Sequence, residues 1–119
     1  SVSGVGGDWS MPIYNASKGA VNNLTRALAL QLGHKKIRVN AVNPSLTRTE
    51  MTDGFEQNED LMESFKRRMP AGEAAEPDDI AGPILFLASE DAKMINGTNL
   101  PVDGGISASN GQPNFLAFL

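Results

Sequence analysis

Apolar residues recur near helical period between positions 13 and 32: Ile13, Ala16, Ala20, Val21, Leu24, Ala27, Leu28 and Leu32. Ser10 ahead of Pro12 supplies a capping hydroxyl and then a first-turn proline. Gly33 closes the run, followed by His34, Lys35 and Lys36, which suit the negative end of a helix dipole. The pattern predicts one helix of about twenty residues. A β-branched, alternating run at 37–42 predicts a strand, and a long helix beside a strand is the βα pattern of a parallel sheet. The fold class is therefore α/β.

Residues 44–56 are polar and turn-rich. A short amphipathic helix is predicted over 58–69, with Leu61, Met62, Phe65 and Met69 as its stripe. A connector follows, and Pro77-Asp78-Asp79 opens another helix through Ile80, Ile84, Leu85 and Leu87 to Ala88. Pro83 inside it removes the bond to the Asp79 carbonyl and predicts a kink or a late start. A last short strand is predicted at 98–102, before a Gly/Ser/Asn-rich tail that ends in Phe115-Leu116-Ala117-Phe118-Leu119.

At 119 residues, 40% of them hydrophobic, the chain suits one modest globular domain. No apolar run approaches the ~20 residues of a membrane span, and no signal peptide is visible. Without cysteine there is neither disulfide nor thiolate chemistry, which fits a cytoplasmic setting. A net charge of −4 and scattered basic residues argue against a nucleic-acid partner. Lys66-Arg67-Arg68 reads as a solvated helix face, and His34, the single histidine, as a cation at a helix end.

Candidate chemistry begins with Tyr14 and Lys18. Four apart on a helix, they aim a phenol and an ammonium at one point. A nearby cation favours the phenolate, so such a phenol can give or take a proton. The pair alone also occurs on many surface helices. Its surroundings sharpen it. Ser1 lies thirteen positions earlier, with Gly4-Val5-Gly6-Gly7 between; after the helix come Ile37-Arg38-Val39-Asn40-Ala41-Val42 and Asn43-Pro44, and near the end Leu100-Pro101-Val102-Asp103-Gly104-Gly105.

This order and spacing resemble the short-chain dehydrogenase/reductase family along nearly the whole chain. The resemblance implies a Rossmann-like doubly wound parallel sheet flanked by helices, and the catalytic roles of Ser1, Tyr14 and Lys18. Tyr14 would move the proton at the substrate oxygen, Ser1 would hydrogen-bond that oxygen, and Lys18 would hold the nicotinamide ribose. Pro44, Ser45, Thr47 and Thr49 match the family's nicotinamide-side segment, with two departures: Ser45 stands where the family has glycine, and Thr47 where it has a branched aliphatic. Trp9 would border the substrate together with Ser1 and Tyr14, although simple packing is an equal reading. The stripe Met62/Phe65/Met69 divides evenly between core and a substrate-covering helix.

The glycine-rich phosphate turn of dinucleotide-binding folds has no counterpart in these residues; Gly4, Gly6 and Gly7 read as a flexible active-site loop, and Asp103-Gly104-Gly105 as a structural turn. The chain thus resembles the C-terminal half of a single domain of this family, one that would not bind the cofactor by itself. The implied function is NAD- or NADP-dependent interconversion of a small secondary alcohol and its ketone, NAD slightly favoured. Gly6-Gly7-Asp8-Trp9, Pro44-Ser45-Leu46-Thr47 and Gly111-Gln112-Pro113 are most similar to the acetoin and 2,3-butanediol dehydrogenases of the family. The alternatives are a 3-oxoacyl-[acyl-carrier-protein] reductase, disfavoured by the acidic stretch 56–63, and a non-catalytic fragment or assembly subunit. The resemblance implies a homo-oligomer, a tetramer, and the long helix supplies a motive: Val21, Leu24, Leu28, Leu30 and Leu32 cannot all face one sheet.

Overall fold

Proline in its first turn and a run of good helix formers hold Pro12–Leu32 in one 21-residue helix, α1. The computed structural model describes residues 1–119. The start and the end of α1 differ from expectation. Met11, not Ser10, is the capping residue, and it offers no side-chain bond; Ser10 instead takes a left-handed conformation, φ 65°. Gly33 stays helical and leads into a 3₁₀ turn, Gly33–Lys35; the chain reverses at Lys36, φ 61°.

Strand β1 spans Ala41–Pro44, shifted from the predicted 37–42. The reason lies in the hydrogen bonds. Val39 N–H donates to Asn96 Oδ1 at 2.9 Å, and the Arg38 guanidinium donates to the carbonyls of Leu87, Ser89 and Ile95. Residues 38 and 39 therefore tie down the end of a helix and a loop, and the ladder begins only at Ala41. There it pairs in parallel with β2, Asn99–Val102, in the register Ala41↔Asn99 to Pro44↔Val102. A parallel pair needs a crossover, supplied here by α2 (Asp53–Glu56), α3 (Glu59–Arg68) and α4 (Pro77–Ala88).

Asn58 caps α3 by accepting from Leu61 N–H, and Glu59, Asp60 and Lys66 to Arg68 sit at the ends where the dipole favours them. Of its predicted stripe only Met69, just past the helix, is buried. Met69 rests on the turn after β2: a Cβ on Gly104 would stand 2.5 Å from its sulfur. Gly104 and Gly105 both have positive φ, 62° and 91°, and Asp103 closes the turn by accepting from Gly105 N–H, Ser107 N–H and the Ser107 hydroxyl. Helix α4 starts at Pro77 as expected, with Glu76 N–H donating to Asp79 Oδ2 at 2.8 Å. It runs through Pro83 without a break, so no late start occurs.

The face of α1 that packs within residues 1–119 is not its apolar one. Its buried residues are Asn22, Thr25 and Ala29, while Val21, Leu24 and Leu30 are exposed. A stripe of small and polar residues lets neighbouring backbones approach closely, and hydrogen bonds replace part of the hydrophobic contact. No helix of the structure is long and apolar enough to cross a membrane.

Candidate active site

Tyr14 and Lys18 project from the first two turns of α1. Lys18 Nζ lies 5.4 Å from the centroid of the Tyr14 ring, the cation-over-ring arrangement that their spacing predicts. Tyr14 is 45% exposed. Its hydroxyl has no hydrogen-bond partner in the chain, and Lys18 makes neither an ion pair nor a hydrogen bond. Both polar heads are therefore free for a ligand.

The segment before α1 is built against these two residues. Residues Val2–Gly4 form a 3₁₀ turn that Ser1 caps, its Oγ accepting from Ser3 N–H at 3.1 Å. That bond uses a lone pair and leaves the hydroxyl proton available for donation. Gly4, expected to be flexible, is a close-approach glycine: a Cβ there would stand 2.7 Å from both the Lys18 carbonyl oxygen and Asn22 Nδ2. Gly6 and Gly7 do stand in open space.

Asn15, one residue after Tyr14, staples the loop. Its Nδ2 donates to Ser3 O (2.8 Å), Gly6 O (2.9 Å) and Asp8 Oδ2 (3.0 Å), while its Oδ1 accepts from Asp8 N–H. Sequence reasoning missed this residue, because an asparagine near a helix start reads as a surface position. The signal that could have found it is its place beside Tyr14, on the side facing a glycine loop. Asn22 and Asn43 were missed because a polar side chain reads as solvent-facing: Asn43, on β1, is fully buried and donates to Ser1 O at 2.6 Å. Trp9 is 90% exposed and neither packs nor walls an enclosed pocket.

The second group of expected residues follows β1. Pro44 is the last strand residue, and Ser45 continues from it into a turn. Thr47 bridges in parallel to Ala75, with Arg48 N–H donating to Ala75 O and Ala75 N–H to Leu46 O. The Thr47 carbonyl accepts from the Thr52 hydroxyl at 2.7 Å, and Thr49 N–H donates to the same hydroxyl. The Thr47 N–H has no partner in the chain. Between the two threonines, Arg48 donates to Glu56 Oε1 (2.7 Å) and Glu76 Oε1 (2.5 Å), tying the turn to α2 and to the start of α4. Ser45 in place of glycine leaves the turn intact, since the non-glycine residues of positive φ are Ser10 and Lys36 alone.

Two open clefts, of about 490 and 530 Å³, lie elsewhere, the first beside Arg38 and Val42, the second between Arg48 and Met62. Neither includes Ser1, Tyr14 or Lys18. In this chain those three sit on an open face, and their free donors mark the site.

Comparison with known proteins assigns the chain to a family. The family model described as enoyl-(acyl carrier protein) reductase matches residues 1–107. Meso-2,3-butanediol dehydrogenase of Serratia marcescens is 53% identical over 116 residues, 98% of this chain and 45% of that protein. L-xylulose reductase of Caenorhabditis elegans is 43% identical over 95 residues, 80% of this chain and 38% of that one. Among solved structures, 4-hydroxyisoleucine dehydrogenase complexed with NADH superposes with a TM-score of 0.89 at 36% identity, covering 92% of this chain and 45% of that one. The chain belongs to the short-chain dehydrogenase/reductase family. It spans less than half the length of these relatives.

Proposed function

We propose that this chain forms the proton-transfer side of an NAD- or NADP-dependent oxidoreductase that interconverts a small secondary alcohol and its ketone, with acetoin and 2,3-butanediol as the substrate pair. The carrying observation is the Lys18 ammonium held 5.4 Å from the Tyr14 ring, with both polar heads unpartnered beside the Ser1 turn. In oxidation Tyr14 Oη takes the proton of the substrate hydroxyl; in reduction it returns one to the ketone oxygen. The Ser1 hydroxyl donates to that same oxygen, where charge develops. The Lys18 charge offsets negative charge on the Tyr14 oxygen. A bound nicotinamide supplies or accepts the hydride. The donors present suit its near end: the Lys18 ammonium for ribose hydroxyls, the free Thr47 N–H for a carboxamide oxygen, with Pro44, Ser45 and Thr49 shaping the turn beneath. Structural relatives carry NADH or, in a protein of Agrobacterium tumefaciens described as a 2-deoxy-d-gluconate 3-dehydrogenase, NADP. NAD is the favoured partner, by likeness to the butanediol enzyme.

The same reading makes residues 1–119 the C-terminal half of one domain, whose other half holds the dinucleotide phosphates, in a cytoplasmic homotetramer. The exposed apolar side chains Leu24 and Leu30 of α1, Leu85 of α4 and Phe118 of the tail call for a covering surface, from the domain's other half or from a partner subunit. Sedimentation of the complete enzyme as an active monomer would refute that part. For the chemistry, Tyr14→Phe in the complete enzyme should abolish turnover and leave cofactor affinity nearly unchanged. A loss of kcat below about tenfold, ~1.4 kcal/mol, refutes the assignment. Lys18→Ala should weaken both.

A further inference from the structure

Asn43 is a buried polar side chain in a strand. None of its surface is exposed. Such an amide is tolerated only when its hydrogen bonds are made. Its Nδ2 has two hydrogens and places them on two acceptors, Ser1 O at 2.6 Å and Asn22 Oδ1 at 3.0 Å. The reverse orientation would point a carbonyl oxygen at the carbonyl of Ser1, so the chemistry fixes which end faces it. Asn22 is itself buried on α1, four residues after Lys18, and its backbone carbonyl accepts from Asn99 Nδ2 of β2. The network is not free of cost: Asn43 Oδ1, Asn22 Nδ2 and Asn99 Oδ1 find no partner. A side chain retained under that burden is a candidate for function rather than stability.

We propose that Asn43 is a positioning residue for the Ser1 hydroxyl. It pins the Ser1 carbonyl to the end of β1, Asn22 fixes the direction of its amide, and Gly4 lets the turn lie against Lys18. With the carbonyl held and Oγ accepting from Ser3 N–H, the Ser1 hydroxyl has one proton to donate and a restricted direction in which to donate it. The inference rests on the proton-transfer reading above and names a residue that this reading does not use.

The test is a double-mutant cycle in the complete enzyme, with kcat, cofactor KM and thermal midpoint read for Ser1→Ala, Asn43→Leu and the pair. Asn43→Leu keeps the branched shape, with bulkier methyl groups, and removes the donor. It should lower kcat by about tenfold or more while cofactor KM moves by less than about twofold, the pattern of a lost transition-state interaction. In the Ser1→Ala background the same change should lower kcat by less than about twofold, because residues that act as one unit are not additive. Equal losses in both backgrounds would overturn the proposal, as would a shift in thermal midpoint with kcat unchanged. If Asn43→Leu does not yield folded enzyme, Asn43→Ser, which is smaller and too short to span both acceptors, is read in the same cycle. A harmless Ser1→Ala would instead refute the proton-transfer reading, a separate outcome that takes this inference with it.

Discussion

Adding a single methyl group at Gly4 should damage the enzyme through Lys18. A Cβ built there stands 2.7 Å from the Lys18 carbonyl oxygen and from Asn22 Nδ2, and 2.9 Å from the Lys18 carbonyl carbon. Two of the three obstacles are helix backbone, which cannot swing aside as a side-chain tip can. Contact between such atoms is comfortable only near 3.5 Å, so the turn must lift from α1 by several tenths of an ångström. Overpacking of this kind costs about 1–3 kcal/mol. The strain falls on the turn that carries Ser1 and on the peptide that carries Lys18, so rate and stability should fall together. We expect Gly4→Ala to lower the denaturant-unfolding free energy by about 1–3 kcal/mol and kcat by about tenfold or more, whereas Gly6→Ala and Gly7→Ala, with nothing within 4 Å, should change neither appreciably. A Gly4→Ala enzyme within about 0.5 kcal/mol of wild type would refute the close-approach argument.

Asn15→Ala should free the loop 3–8 from α1, raising amide exchange at Asp8 and costing about 1–3 kcal/mol for bonds to three carbonyl or carboxylate acceptors; unchanged exchange at Asp8 refutes the staple. Burial pushes the Asp103 carboxyl up, but the Ser107 hydroxyl and the amides of Gly105 and Ser107 outweigh it and hold it below its ordinary value. A carboxyl depressed in the folded state stabilises above its unfolded value, near 3.9, and that contribution is lost as pH falls through the folded value. Unfolding free energy should therefore fall more steeply below about pH 4 in wild type than in Asp103→Asn; parallel curves would remove Asp103 from the account.

The elements that were legible in the sequence carry their own local signals. Helices α1, α3 and α4 show the apolar period or an opening proline with acids, and β2 lies ahead of a glycine turn. β1 was displaced because the alternation of 37–42 is real, but pairing is decided by the partner, and Asn99 meets Ala41. Tyr14 and Lys18 were legible because spacing on one helix fixes their geometry. Gly4 was misread because glycine marks both freedom and close approach, and only the path of α1 tells which. Asn15, Asn22 and Asn43 were illegible because a polar residue reads as solvent-facing until the tertiary contact is known.

The buried asparagines also account for the other face of α1. A helix that packed by hydrophobic area alone would turn Val21, Leu24 and Leu28 to the sheet. This one turns Asn22, Thr25 and Ala29 inward and leaves Leu24 56% exposed. The inward stripe continues through Lys18 to Asn15, at intervals of three and four, so the same face that meets the sheet also carries the site. Its chemistry requires groups that hold a turn by direction, which hydrogen bonds do and apolar contacts do not. Replacing Asn22 and Asn43 together by leucine would remove the unpartnered amide atoms at those two positions, but it would also take a donor from the Ser1 carbonyl and add volume to a buried site. The expectation therefore rests on activity: in the complete enzyme the double leucine variant should lose about tenfold or more in kcat, and a folded variant with wild-type kcat would refute the role of the polar stripe in positioning Ser1.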